Sequence, residues 1–126
     1  MEIKTYQKEM ELKLFQLLTT EGEDWGDYTS ESGMTQYLIA LESSIVYVCL
    51  EEDDLIAYIR CKEDSGFGVY VYDLLVRKDK RGNQVGKSLI EHIKDEFKNQ
   101  SIYIMSDVDL YYEKCGYVKI GSIFEV

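Results

Sequence analysis

Length, composition and charge narrow the class of protein before any motif is considered. The chain has 126 residues, 45% of them hydrophobic and 13% aromatic, so it can bury one substantial core, and we expect a single domain over residues 1–126. A formal net charge of −10 would repel nucleic-acid phosphates and argues against a nucleic-acid partner. No apolar run has the length of a signal peptide or a bilayer-spanning helix, so we expect no membrane association and a cytoplasmic location.

The cysteines and the single histidine do not form a metal-ligand pattern. Cys49, Cys61 and Cys115 lack the spacing of zinc ligands, and His92 alone cannot complete such a set. We therefore predict no metal site and interpret Cys49 and Cys61 as small core residues of a protein in a reducing compartment.

Hydrophobic spacing predicts two helices and a hairpin in the first half of the chain. Apolar residues recur at intervals of three and four over residues 7–19, and a second helix is predicted over residues 34–41. The polar, glycine-bearing segment between them contains Trp25 and Tyr28. β-Branched and aromatic residues on both sides of an acidic turn at residues 52–54 predict two strands.

The second half alternates strands with helices. Residues 69–76 form a third strand that is apolar enough to be central, and a helix is predicted from Val85, where apolar residues begin to recur every fourth position. A buried strand from Ser101, a short helix ending at Gly116 and a final strand or short hairpin over residues 117–126 follow. This order predicts an α/β (α+β) domain that combines an antiparallel hairpin region with a parallel crossover.

A basic cluster between the third strand and the following helix contrasts with the acidity of the whole chain. Residues 77–87 contain five cations and one carboxylate, together with Gly82 and Gly86. The first turn of a helix presents unpaired amides and a partial positive charge, and glycines let a ligand approach the backbone. The cluster therefore predicts a site for a phosphate-rich ligand, with Arg81 and Lys87 as its main charged residues.

One candidate for this site is the nucleotide-binding loop G-x-x-x-x-G-K-[ST], which residues 82–88 (GNQVGKS) nearly match. Only three residues separate the two glycines where that loop has four, and five mostly charged residues separate the strand from Gly82. A magnesium- and ATP-dependent phosphotransferase is therefore the lesser alternative.

Residues 81–86 (RGNQVG) resemble instead the acetyl-coenzyme A motif [QR]-x-x-G-x-[GA] of the Gcn5-related N-acetyltransferase (GNAT) family, with Gln84 in place of the first motif glycine. Residues 110–117 (LYYEKCGY) are similar to the family's closing signature, an aromatic pair followed by E-K-x-G-[FY]. The resemblance covers nearly the whole chain. It implies a small, bacterial-type single-domain member with a mixed, mostly antiparallel sheet, a splayed central strand pair and flanking helices.

The resemblance further implies direct transfer of an acetyl group from acetyl-coenzyme A to a primary amine of a small molecule or a peptide N-terminus. Tyr112 falls where the family commonly protonates the departing thiolate, and Trp25 and Tyr28 lie where it usually builds the acceptor site. Asp73, a charge in an otherwise apolar strand, is a candidate base or substrate anchor, and the alternatives for the base are Asp107 and Asp109. The implied cofactor-binding residues are Leu74, Leu75, Val76, Arg81, Gly82, Asn83, Gln84, Val85, Gly86, Lys87 and Ser88.

A catalytically silent member of the fold, which binds coenzyme A or a protein partner, is the main alternative. Gln84 favours it, as does the short segment after Gly116, which leaves little chain for a terminal hairpin. An open sheet edge invites pairing with another chain, so a homodimer would be one way to complete it.

Overall fold

A computed structural model describes residues 1–126 and contains one five-stranded sheet with helices packed on both faces. Short 3-10 turns lie at Lys8–Met10, Glu23–Trp25 and Lys78–Lys80. The elements in chain order are β1 (Glu2–Thr5), α1 (Glu11–Glu21), α2 (Gly26–Thr29), α3 (Glu31–Glu42), β2 (Ile45–Glu51), β3 (Asp54–Glu63), β4 (Val69–Val76), α4 (Val85–Glu96), β5 (Ile102–Ile104) and α5 (Asp109–Lys114).

The strands lie in the order β1-β2-β3-β4-β5. The strands β1 to β4 pair antiparallel with one another, and β5 is parallel to β4 because α4 carries the chain back across the sheet. The fold class predicted from the sequence, a mixed and mostly antiparallel sheet with flanking helices, is confirmed. None of the helices combines the length and the apolar character needed to cross a bilayer.

Two cores lie on opposite faces of the sheet. The α1–α3 core contains Leu14 and Leu18 of α1 and Tyr37 and Leu41 of α3, packed against strands that include the fully buried Tyr58. The α4 core lies under Val85, Leu89, Ile90 and Ile93, whose spacing produced the helix prediction. Cys49 and Cys61 are fully buried in the α4 core, as predicted.

A bulge in β4 coincides with the point where β5 leaves it. Cys61 pairs with Val71 and Arg60 pairs with Asp73, so Tyr72 is an extra residue on β4. Pairing between β4 and β5 ends at Val71 and Ile104, with one further bond from the Met105 N–H to the Val71 carbonyl at 2.9 Å. The rest of β4 has no partner on this side, which is the splayed strand pair that the resemblance implied.

The structure differs from the sequence-based prediction at both ends of the chain. β1 was not predicted, because four residues with a single apolar side chain give no recognisable alternation. The predicted strand or hairpin at residues 117–126 is wrong: the last backbone hydrogen bond is donated by Tyr117, and the residues beyond it form no strand. The outer edge of β5 is unpaired within this chain, and the homodimer stays a prediction.

The predicted helices are shifted or extended rather than misplaced. The helix expected over residues 7–19 occupies Glu11–Glu21 after a 3-10 turn at Lys8–Met10. The helix expected over residues 34–41 begins earlier, at Glu31, because the Ser30 hydroxyl accepts a hydrogen bond from the Gly33 N–H and caps it.

Candidate active site

A row of unpaired backbone amides lies at the start of α4. None of the backbone N–H groups from Gly82 to Lys87 donates a hydrogen bond within the protein, and no side chain caps the helix. Gly82 and Gln84 have positive φ angles of 84° and 65°, which turn the backbone sharply just before the helix begins. We call this segment the α4 amide row. Such a series of free N–H groups at a helix N-terminus is a binding site for an anion.

The basic cluster around the amide row is largely neutralised by the chain's own carboxylates. Lys80 Nζ lies 2.6 Å from Glu51 Oε1, and Arg77 Nε lies 2.6 Å from Asp79 Oδ1. Arg81 pairs with Glu21 at the end of α1. Lys87 forms no ion pair and is therefore the uncompensated cation in the first turn of α4.

The unpaired side of β4 presents backbone groups to the splay. The Arg77 N–H donates to the Ile56 carbonyl of β3 at 2.7 Å, so strand alternation turns the polar groups of Val76 away from β3. The Val76 carbonyl there accepts a hydrogen bond from Arg81 Nε at 3.0 Å. By the same alternation, the backbone N–H and carbonyl of Leu74 point into the splay, and those of Leu75 point toward β3. The Leu75 side chain is buried in the α1–α3 core. Of the three predicted β4 residues, Leu74 and Val76 thus face the splay.

Two adjacent tyrosines of α5 lie near the start of α4, one packed on the α4 core and the other over Gly86. Tyr112 packs against the α4 core, and burial, reinforced by neighbouring Tyr111 and Asp107, raises its pKa well above the ordinary phenol value. The Tyr111 ring meets Tyr112 edge-on, with centroids 5.0 Å apart. The Tyr111 hydroxyl lies over Gly86, close enough that a β-carbon at that position would be 2.6 Å from it. The amide row, the end of β4 and the start of α5 therefore meet at one place.

Asp73 lies on the other face of the sheet, at the centre of a hydrogen-bonded cluster. It is 5% exposed, and its carboxylate accepts hydrogen bonds from the Tyr28 hydroxyl at 2.9 Å and the Tyr37 hydroxyl at 2.6 Å. Arg60 Nε lies 2.6 Å from the same carboxylate and completes a largely buried ion pair. The Tyr37 and Tyr58 hydroxyls are 2.7 Å apart, which extends the network into the α1–α3 core.

Aromatic packing holds this cluster together and links it to the segment between α1 and α3. The Tyr28 and Tyr37 rings stack with centroids 3.9 Å apart. Trp25 meets Tyr58 edge-on, with ring centroids 6.3 Å apart. Burial and the neighbouring Asp73 raise the pKa of Tyr28 to about 12. Tyr28 is therefore protonated at neutral pH and remains a donor to Asp73. Of the two predicted acceptor-site residues, Tyr28 thus contacts Asp73 directly, and Trp25 packs against Tyr28 and Tyr58 beside it.

Sequence reasoning missed Arg60 and Tyr37. Arg60 is the one charge in the apolar run of residues 55–61, and it lies directly opposite Asp73 in the register of β3 and β4. Two isolated opposite charges in consecutive predicted strands were the available signal. The alternative bases lie at the α5 end of the site: Asp109 begins α5 and pairs with Lys119 at 3.2 Å, and Asp107 is exposed and near enough to Tyr112 to raise its pKa.

The sequence matches a known protein family over nearly its whole length. The family model described as an acetyltransferase (GNAT) domain matches residues 3–126. The uncharacterized N-acetyltransferases ycf52 of Pyropia yezoensis and Porphyra purpurea are 28% and 29% identical over 91 residues, which are 64% of this chain and 52% of each relative. The chain thus spans about half the length of these curated relatives.

Solved structures share the fold at low sequence identity. An aminoglycoside 6'-N-acetyltransferase complexed with coenzyme A is 18% identical with a TM-score of 0.77, covering 96% of this chain and 87% of its own. A glucosamine-6-phosphate N-acetyltransferase from Arabidopsis thaliana is 20% identical with a TM-score of 0.72, covering 99% and 96%. A ribosomal-protein-alanine N-acetyltransferase from Brucella melitensis biovar Abortus 2308 is 14% identical with a TM-score of 0.75, covering 99% and 97%. Because the family model matches residues 3–126, almost the whole chain, this chain belongs to the GNAT family of N-acetyltransferases.

Proposed function

We propose that this protein transfers the acetyl group of acetyl-coenzyme A directly to a primary amine, carried by a small molecule or by a peptide N-terminus. GNAT enzymes use acetyl-coenzyme A and acetylate amines, and the chain belongs to that family. The observation that carries the proposal is the convergence of the α4 amide row, the unpaired backbone of β4 and the α5 tyrosines.

The residues present fit the cofactor. The amide row and the unpaired Lys87 would hold its pyrophosphate, with the Ser88 hydroxyl alongside, and the free backbone groups of Leu74 and Val76 would pair with the amides of its pantetheine arm. Arg81 would exchange its present contacts with Glu21 and the Val76 carbonyl for the phosphate. Acetyl-coenzyme A supplies the acetyl group in activated form, as a thioester.

Tyr112 is the proposed general acid. A thiolate with an ordinary pKa of about 8.5 leaves more readily when it is protonated, and a phenol can supply that proton. The raised pKa of Tyr112, caused mainly by burial, keeps the phenol protonated across the neutral range.

Asp73 was predicted as a base or as a substrate anchor, and its contacts favour the anchoring role. Both carboxylate oxygens are already engaged, one by Tyr28 and the other by Tyr37 and Arg60, so the group is built into the protein rather than presented to a substrate. We propose that Asp73 positions Tyr28, so that Tyr28 and Trp25 present aromatic surface to the acceptor amine. By their names, the similar solved structures act on unlike acceptors, so the fold does not select one amine.

The catalytically silent alternative is favoured by two observations. Gln84 occupies a position of positive φ within the amide row, and Arg81 is already engaged with Glu21. The phosphotransferase alternative has no support from the family match.

Ligand-induced stabilisation separates these functions. Thermal unfolding is measured with acetyl-coenzyme A, with coenzyme A and with ATP plus magnesium. A ligand at 100 times its dissociation constant stabilises the folded protein by about 2.7 kcal/mol, which raises the unfolding midpoint by several degrees. We expect a shift with both coenzyme A forms. A shift with ATP and magnesium alone would contradict the proposal.

Thiol release in the presence of a panel of primary amines then tests the chemistry. We expect Tyr112→Phe to lower kcat about 100-fold while acetyl-coenzyme A affinity stays within about twofold, because general acid catalysis typically contributes 10²–10⁴-fold. Tyr117→Phe is the matched control, since Tyr117 packs against the same core as Tyr112 and its buried hydroxyl has no hydrogen-bond partner. Cofactor binding with no turnover of any amine would identify the silent member.

A further inference from the structure

Tyr111 lies at the junction of the two surfaces that the cofactor would use. The nearest atoms to a β-carbon built on Gly86 are the Tyr111 hydroxyl oxygen at 2.6 Å and Val76 Cγ2 at 3.5 Å. Gly86 belongs to the first turn of α4 and Val76 ends β4, so the hydroxyl lies between the amide row and the splay. The Tyr111 hydroxyl is the one polar atom among the three nearest to that position.

We infer that Tyr111 is a further cofactor-binding residue, whose hydroxyl donates a hydrogen bond to a phosphate of coenzyme A held by the α4 amide row. This inference rests on the proposed function and adds to it. The implied family motif accepts glycine or alanine at position 86, but in this chain only glycine leaves room for the Tyr111 hydroxyl.

The chemistry of the hydroxyl suits this role. Its one partner in the protein is the Cys115 thiol, a weak hydrogen-bonding group that a phosphate oxygen could replace, and burial, followed by Cys115, raises the pKa of Tyr111. The phenol therefore keeps its proton at neutral pH and is available as a donor. Because Arg81 is held by Glu21, Lys87 is the uncompensated cation at the amide row, and a neutral donor from α5 would add a further contact.

The inference also connects cofactor binding to the proposed acid. Tyr111 and Tyr112 are consecutive in α5, and their rings are in edge-to-face contact. A phosphate held by Tyr111 would fix the position of α5 relative to α4. Tyr111 would thereby help to hold the Tyr112 phenol beside the splay.

A ligand series tests whether the hydroxyl contacts a phosphate. Dissociation constants are measured by calorimetry for coenzyme A, 4'-phosphopantetheine and pantetheine, with the wild-type protein, with Tyr111→Phe and with the control Tyr103→Phe, whose ring packs on Tyr70 in the sheet. We expect Tyr111→Phe to bind the two phosphate-bearing ligands about 10- to 100-fold more weakly, the effect of losing one hydrogen bond to a charged group. Pantetheine affinity should not change, and Tyr103→Phe should behave as the wild type.

Two results would overturn the inference while leaving the proposed function intact: equal coenzyme A affinity in Tyr111→Phe and the wild type, or an equal loss of affinity for all three ligands. Failure of the wild-type protein to bind any of the three would overturn the cofactor assignment and this inference with it.

A double-mutant cycle tests the geometry independently of any ligand. The methyl group of Gly86→Ala would collide with the Tyr111 hydroxyl but meet other atoms only at 3.5 Å or beyond. We expect Gly86→Ala to change the unfolding midpoint less favourably in the wild type than in the Tyr111→Phe background, where the better helix propensity of alanine is gained without the collision. Additive effects would show that the hydroxyl does not lie over Gly86.

Discussion

Gln84 is the one position of the cofactor motif where the residue and its backbone conformation disagree. Its φ and ψ of 65° and 16° are left-handed, a conformation that costs an L-residue about 1–2 kcal/mol and glycine almost nothing. Its side chain makes no capping hydrogen bond that would offset this cost. The glutamine thus retains the turn that the motif glycine would provide, at some expense in stability.

Gln84→Gly should therefore stabilise the protein and leave the amide row intact. We expect a gain of about 0.5–1 kcal/mol in the free energy of unfolding, since removal of the left-handed strain is partly offset by the greater freedom of glycine in the unfolded chain. Removal of a side chain beside the amides should also tighten acetyl-coenzyme A binding. Urea denaturation and calorimetry measure the two effects.

Asn83→Gly is the control for this substitution, because Asn83 does not have a positive φ. There glycine should only destabilise. A less stable Gln84→Gly variant would mean that the glutamine side chain makes a contribution that its contacts do not reveal.

Among the elements, β4 does most to position the site, and its bulge has two effects. The side chains of Tyr72 and Asp73 both point to the face opposite the α4 core, whereas consecutive residues of a regular strand alternate. The alternation resumes with Leu74, which packs on the α4 core. The bulge also lies directly after the last pairing with β5. Because a bulge bends its strand and increases the local twist, we attribute the splay to Tyr72.

Deletion of Tyr72 should separate folding from cofactor binding. Arg60 would still face Asp73 and Cys61 would still face Val71, so the register and both cores are preserved and the protein should fold. A straighter β4 should pair further with β5 and close the splay, lowering acetyl-coenzyme A affinity by about tenfold or more. Circular dichroism and calorimetry check the two expectations.

Tyr72→Ala is the control, since it keeps the extra backbone residue and loses only the ring that lies 5.4 Å from the Arg60 guanidinium carbon. It should bind acetyl-coenzyme A as the wild type does. Full affinity in the deletion variant would show that the bulge is not the cause of the splay.

The sequence predicted features that depend on residues within one segment, but not features that depend on how two strands pair. The bounds of β4 and the start of α4 follow from periodic apolar residues within the segments themselves, and both were predicted at the residues observed. The bulge could not be predicted, because an apolar run gives no sign of which residue lacks a partner across the sheet. The pairing of Arg60 with Asp73 likewise depends on the register between two strands.

At the scale of the whole molecule, the positions of the charges explain more about how the elements are held together and which ligands approach than the net charge does. Much of the basic cluster is paired with carboxylates from distant parts of the chain, so Arg81 holds α1 and Lys80 holds β2 near the start of α4. The remaining surface is acidic, which favours the approach of a cationic amine over an anionic one.

Two half-buried phenols predict how the stability of the whole protein depends on pH. Burial, with nearby Glu11, raises the pKa of Tyr6 to about 12, and burial, with Asp73, raises that of Tyr28 to about 12. An unfolded phenol ionises near pH 10, whereas these folded phenols keep their protons until about pH 12. The contribution of these two tyrosines to the free energy of unfolding is therefore fully present below pH 10. It is lost as the pH rises from 10 to 12, because only the unfolded state releases their protons in that range.

Tyr28→Phe should reduce this alkaline loss. Allowing for the partial exposure of Tyr28, we expect the variant to lose on the order of 1 kcal/mol less than the wild type between pH 10 and 12, measured by urea denaturation across that range. Trp25→Phe is the matched control, because it disturbs the same aromatic cluster without removing an ionisable group. It should lower stability at every pH and leave the pH dependence unchanged. Equal pH dependence in Tyr28→Phe and the wild type would show that ionisation of other groups, and not of Tyr28, limits the fold at high pH.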